Sequence, residues 1–191
     1  MRWRPDRDDA GVTLLELMVA MTLMSFFGAI FVSGIAQMYR MAGRAEAAAD
    51  AQAQIRIAFI RLDTQIRYAT GLSTPGPATG TDRYVEYLTS NTGTEMCGEV
   101  RLQGSTSLLQ WRQWKRGDPP GGWTVLASGI TSTTPFTVTG TSTGSANQTL
   151  TISLTSTASG RAKQSRTTFA ALNSGPGVDT SAYCVEGRLA P

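Results

Sequence analysis

The sequence predicts an α+β fold in which one long amino-terminal helix packs on an antiparallel β-sheet domain. Three observations predict it. From Leu17 to Tyr39 no side chain carries a charge. From Met41 to Tyr68 there is no Pro and no Gly after Gly43, and "AEAAADAQAQIRIAF" is a run of strong helix formers. Beyond Gly71, short runs of β-branched, aromatic and alternating apolar residues are separated by turn-rich pieces such as "RGDPPGG".

The first ten residues, "MRWRPDRDDA", are polar and lead straight into the apolar run. That run is too long for a secretory signal, whose apolar region is about 7–15 residues and ends at a small-residue cleavage site. At a rise of about 1.5 Å per residue, Leu17 to Tyr39 spans roughly 34 Å, enough to cross a hydrocarbon core of about 30 Å. A plain membrane anchor fits the length but leaves Glu16 unexplained. A lone carboxylate at the head of a membrane helix costs several kcal/mol.

The helix is expected to continue past the membrane, from about Val12 to about Tyr68. Ile55, Phe59, Leu62 and Ile66 recur at spacings of four, three and four and form one apolar stripe. Asp63 and Arg67 make an i,i+4 pair on a neighbouring face. Ile57, Ile60 and Tyr68 lie toward the opposite side. A one-sided surface helix has no use for two Ile there, so this back face is read as a contact for another subunit, against the alternative of scattered exposed apolar residues.

"GLSTPGPATG" (71–80) breaks the helix. Seven strands are then expected, at 84–89, 99–103, 107–114, 123–127, 135–139, 148–155 and 161–172. Leu150, Ile152 and Leu154 alternate, so one sheet face is buried there and the other is wet. More than half of the residues between Thr131 and Thr168 are Ser or Thr, which suits a solvated β-surface.

Composition narrows the function classes. The 191 residues include no His, two Cys, 17 basic and 14 acidic side chains. Without His there is no His-dependent triad, His-ligated zinc or imidazole base. Two Cys cannot make a four-thiolate site, the acidic residues of the β-region show no calcium-loop spacing, and no metal or cofactor is expected. No enzyme activity and no small-molecule substrate are expected either, since no nucleophile, base and oxyanion donor come together. Cys97 and Cys184 read either as two buried thiols or as a disulfide in an exported domain, and the disulfide is the preferred reading.

"GVTLLELMVAM", at the head of this uncharged helix, resembles the processing site of type IV prepilins and of the pseudopilins of type II secretion. The resemblance implies that prepilin peptidase cuts after Gly11 and methylates the new amino terminus at Val12. Glu16 then becomes the fifth mature residue, where that family carries a glutamate. Its physical role follows: Glu16 can pair with the positive amino terminus of a neighbouring subunit, so a costly charge rewards one axial stagger. The implied organisation is a leader at 1–11, a transmembrane and assembly helix at 12–40, its amphipathic continuation at 41–70 and an exported β-rich domain at 71–191. The implied location is the inner membrane, single-pass, with the carboxyl-terminal domain outside the cytoplasm, and a pilus or pseudopilus after assembly.

Some features depart from the commonest pattern. The leader side chains sum to zero charge, the first mature residue is Val, and the apolar helix has no kinking Pro. These point away from an abundant major subunit. "AQAQIRIAFIRLDTQIRYATGL" resembles the corresponding stretch of J-type pseudopilins and W-type minor pilins, with Leu62, Asp63 and Arg67 as its tail. "WTVLASGITSTTPFTVT" and "RTTFAALNS" resemble strands of the same proteins. The resemblance implies a minor subunit that primes a filament, with other minor and major pilin-like subunits, prepilin peptidase and the membrane as partners. Glu16 further implies a place below the tip, because the tip-most subunit of the family typically lacks this residue.

The alternative is a membrane-anchored exported binding domain that never polymerises and contacts DNA. "WRQWKRG" (111–117) interleaves Trp with cations, the composition of a base-stacking and phosphate-neutralising surface. In a regular strand Trp111 fills the core while Arg112, Trp114 and Arg116 gather on the other face. Against this stands a core Trp with Arg stems lying over an aromatic ring.

Overall fold

A computed structural model of the chain describes residues 13–76, 81–90, 93–140, 146–158, 160–175, 183–184 and 186–189. In order they form α1 (Leu14–Arg67), β1 (Ala69–Leu72), β2 (Arg83–Thr89), β3 (Met96–Gln103), β4 (Leu108–Lys115), β5 (Thr124–Ala127), β6 (Phe136–Thr139), β7 (Gln148–Ala158), β8 (Arg161–Ala171) and α2 (Glu186–Leu189). The chain divides into two compact units, Met1–Ala45 and Glu46–Pro191, and α1 runs through the boundary.

In the first unit α1 starts at a side-chain cap. The Glu16 amide donates to the Thr13 hydroxyl at 3.3 Å, and the Leu17 amide donates to the Thr13 carbonyl at 3.1 Å. Thr followed three residues later by Glu is the capping-box pattern, and an acidic residue in the first turn also suits the positive end of the helix dipole. Every residue from Leu14 to Ala45 is exposed, large apolar ones such as Met24, Phe27 and Phe31 included. The hydroxyls along this stretch are satisfied internally. Thr22, Ser25 and Ser33 each donate to a carbonyl three or four residues back, at 2.8 Å. A helix apolar on every side, with those three hydroxyls satisfied within it, is suited to lipid or to other helices rather than to water.

The second unit has its own core. Residues Glu46–Arg67 of α1 bury Ile55, Ala58, Leu62 and Ile66, with Phe59 partly covered. The stripe packs against two antiparallel sheets. The larger has the order β1-β2-β3-β4-β5 and the smaller β6-β7-β8. Val85, Tyr87, Val100, Leu102, Leu109 and Trp111 come from the first sheet, and Leu150, Ile152, Leu154 and Phe169 from the second. The rings of Phe59 and Phe169 meet edge to face at 5.9 Å between centroids. The Leu72 amide donates to the Gln148 side-chain carbonyl at 2.7 Å, which ties the two sheets together.

Tyr87 is the largest fully buried side chain, and its hydroxyl accepts from Trp111 Nε1 at 2.7 Å. Burial pushes its phenol well above the ordinary value. Gly98, opposite Tyr87 in the β2–β3 ladder, leaves room for that ring, since a Cβ there would sit 2.0 Å from the ring carbon Cζ. All seven expected strands are present. Two elements were not foreseen: β1, which begins two residues after the helix ends, and the short α2.

Candidate functional site

Three places bear the residues that the sequence singles out. The first is the amino terminus. Gly11 and Val12 lie outside the described residues. Glu16 is described, and its carboxylate has no hydrogen bond or ion pair among the described residues, although its backbone takes the Thr13 cap. Among the described residues its charge is therefore uncompensated.

The second place is the back of α1. Ile57 is 66% exposed, Ile60 61% and Tyr68 43%, while the stripe on the other side is buried. Asp63 and Arg67 form the expected i,i+4 pair at 2.5 Å. The Tyr68 carbonyl accepts from the Thr89 hydroxyl at 3.3 Å and from Asn173 Nδ2 at 3.2 Å, so the helix exit is held while the Tyr68 ring stays outside.

The third place is the face of the five-stranded sheet turned away from α1, and here the expectation is corrected. Trp111 and Trp114 do point to opposite faces, but the second face is not open. Arg112 is only 3% exposed and Trp114 only 5%. Arg116 is exposed, but it pairs with Glu95 at 2.9 Å rather than lining a platform with the other two. The physical reason is the carboxyl-terminal segment. Cys97 on β3 and Cys184 form a disulfide, with Cα atoms 5.7 Å apart and 87 positions between them in sequence. It fixes the start of α2 over this face, where Leu88, Cys97, Trp114 and Cys184 form a second apolar cluster joined by Tyr183.

Polar groups complete the cover. Arg112 donates through Nε to Glu99 at 2.7 Å and through a terminal nitrogen to the Gly187 carbonyl at 2.8 Å. Trp114 Nε1 donates to the Glu186 carboxylate at 3.1 Å. Gly187 fits only because it lacks a side chain, since a Cβ would come within 2.8 Å of the Trp114 ring. The guanidinium groups of Arg101 and Arg112 stand 3.9 Å and 4.0 Å from the centre of the Trp123 ring. Trp and Arg are thus interleaved here as a packed and paired interior.

Charge in this interior is concentrated. Glu86, Glu99 and Arg112 sit side by side across β2, β3 and β4, and all three are buried. Glu86 is engaged by the Ser73 hydroxyl. Burial holds the Glu99 carboxyl up at about 7, with Arg112 pulling it down and Glu86 adding to the rise. At Glu186 partial desolvation pushes up, but hydrogen bonds from its own amide, from Trp114 and from the Gly117 amide, with Arg116 nearby, outweigh it and hold the carboxyl below the ordinary value. Among the described residues no group of three or more His, Cys, Asp or Glu is placed to hold a metal ion.

Comparison with known proteins bears on the amino terminus. Residues 6–32 match the family model described as the prokaryotic N-terminal methylation motif. The amino-terminal segment is prepilin-like. That match includes Gly11, Val12 and Glu16 and falls on the head of the one described helix long and apolar enough to cross a membrane. Neither a search of curated proteins nor one of solved structures gives a match. The family resemblance is thus carried by the amino-terminal segment, and the α+β architecture by the coordinates.

Proposed function

We propose that the chain is a minor pilin-like structural subunit, cut after Gly11 and methylated at Val12 by prepilin peptidase. In this reading it helps initiate or prime a type IV pilus or a secretion pseudopilus, together with other minor and major pilin-like subunits. The observation that carries the reading is the methylation motif at residues 6–32, set on a helix whose residues 14–45 bury nothing within the chain. A helix of that kind needs lipid before assembly and sibling helices after it. Glu16 then finds in a neighbour's positive amino terminus the partner it lacks among the described residues.

The same reading accounts for the second unit. It is exported across the inner membrane, where a disulfide between Cys97 and Cys184 is stable. Ile57, Ile60 and Tyr68 bury against siblings. The Leu62, Asp63 and Arg67 tail keeps its resemblance to J-type pseudopilins and W-type minor pilins, which favours a priming role over that of a bulk subunit. Direct DNA contact through Arg112 and Trp114 has no support, because both are covered.

The test is Glu16→Ala in cells. The variant should insert and be processed like the parent, yet be recovered in filaments at a clearly lower level. Incorporation equal to the parent's would refute the registry role. The effect should also depend on a neighbour's free amine, so subunits left uncleaved should fail to capture the parent protein.

A further inference from the structure

The smaller sheet carries an open edge. β8 is the last strand in the order β6-β7-β8 and runs from Arg161 to Ala171. The direction of its backbone groups can be read from its neighbours. The Lys163 carbonyl accepts from Ser156 on β7, whereas the Leu172 amide turns away from β7 and donates to the Arg67 carbonyl at 3.0 Å. By the two-residue alternation of a strand, the backbone groups of Gln164, Arg166, Thr168 and Ala170 face the open side. Among the described residues none of these four has a backbone partner outside its own sheet. An unpaired row of this kind is a template for another strand.

What lies beside the edge sets the chemistry of that strand. A groove of about 380 Å³ runs between β8 and α1. Phe59 and Ile60 line it on the helix side, Ser165 and Thr167 on the strand side, and Arg56 and Arg166 stand at it as cations. Ser165 and Thr167 are paired with Leu154 and Ile152, on the inner face. Arg166 is paired with Ser153, on the outer face. The charge of the sequence segment that carries the edge is one-sided. From Pro119 to Val178 there is no Asp or Glu, and the only basic residues are Arg161, Lys163 and Arg166. The remainder of the chain holds 14 of each sign, so the whole net charge of +3 resides on β8.

We propose that the open edge of β8 accepts an extended segment of another subunit, alternating apolar and acidic residues, which adds as a fourth strand to the β6–β8 sheet. Side chains of the added strand that project on the inner face enter the groove against Phe59 and Ile60 and are apolar. Those on the outer face meet Arg166, beside Gln164 and Thr168, and are acidic. A second copy of β8 is a poor occupant, because it would set Lys163 and Arg166 against their own kind. That the segment comes from another subunit rests on the function proposed above. The edge itself does not, and its test involves no processing step.

The experiment uses the full chain in detergent micelles with a ten-residue peptide alternating Val and Glu as the probe, read by amide hydrogen exchange. The expected result is slowed exchange at Gln164, Arg166, Thr168 and Ala170. The same peptide with alternate amides N-methylated should give none, and one alternating Val and Lys should bind at least about tenfold more weakly. Arg56→Glu with Arg166→Glu should reverse the preference between the two charged peptides. Ile60→Glu, at a position already exposed, gives a second arm if that double variant fails to fold, and it should weaken the acidic peptide by about tenfold. Equal binding of the two charged peptides, or no slowing on β8, overturns the proposal. Binding of dextran sulfate in place of the peptide, with β8 exchange unchanged, overturns it in favour of a surface for polyanions. Failure here leaves the methylation and Glu16 readings intact, and failure of those leaves this edge open.

Discussion

The two stretches of α1 use apolar residues in opposite ways. Residues 14–45 carry them on every side and bury none, whereas residues 46–67 bury a single stripe and leave Ile57 and Ile60 outside. One helix therefore answers two solvents. Its first stretch is exposed along its whole length. Its second stretch helps to form the core of the second unit. Mutations should therefore register in assembly for the first stretch and in stability for the second.

The largest effect expected in the second unit comes from its buried charges. Arg112→Ala leaves Glu99, with Glu86 on its other side, buried without the cation that pairs with it. It should cost about 3–5 kcal/mol in denaturant unfolding of the purified chain. Leu62→Ala, at a position with no exposed surface, should cost about 2–5 kcal/mol. Phe27→Ala on the first stretch should leave the same transition unmoved, because Phe27 is exposed and belongs to no core cluster among the described residues. If Phe27→Ala shifts it as far as Leu62→Ala does, the division between the two stretches is wrong.

Next comes the carboxyl-terminal strap. Replacing Cys97 and Cys184 by Ser opens a loop of 87 positions and should lower stability by about 2–4 kcal/mol. It should leave the helix content in circular dichroism intact. Exchange should rise at the Trp114 indole, which Glu186 otherwise engages.

A smaller effect is expected from pH. Burial raises the folded-state Glu99 carboxyl to about 7, above its unfolded value. The folded chain therefore binds this proton more tightly than the unfolded chain. The associated stability is fully present below the unfolded value, near 4.5, and is lost as pH rises through about 7. The melting temperature of the parent should fall relative to Glu99→Gln between pH 5 and pH 8. A difference that stays constant across that range would show that Glu99 does not titrate there. Smallest of all, Ile57→Ser should change stability by no more than about 0.5 kcal/mol, because the residue is exposed, while reducing recovery in filaments.

Most of this architecture is legible in the residues. The 3.6-residue stripe and the two-residue alternation each report burial against a single face, and they locate α1 and seven strands. What escaped notice has identifiable causes. β1 hides because Gly71 and the prolines after it read as a breaker, although Ala69–Leu72 pairs with β2 across a bulge. The buried row of Glu86, Glu99 and Arg112 is a register effect. A hairpin closed over "GSTS" sets Glu99 opposite Arg112, so counting outward from that turn would have found the pair.

The misplaced face has a different origin. Strand alternation rightly puts Arg112 and Trp114 together, away from Trp111. What covers them arrives from the far end of the sequence, through a disulfide whose partner distance no local pattern encodes. Glu16 was legible in kind, as a charge that needs a partner. Its second use, an amide capped by Thr13, needed the helix start to be seen.

In the function proposed above, the apolar stretch of α1 is the assembly helix of a processed, prepilin-like subunit. The most direct test is the intact mass of the protein extracted from the membrane fraction of cells that contain prepilin peptidase. The chain is expected to begin at Val12, lighter by residues 1–11 and heavier by one methyl group on the new amine. A chain that keeps Met1–Gly11, or is cut anywhere other than after Gly11, would contradict it.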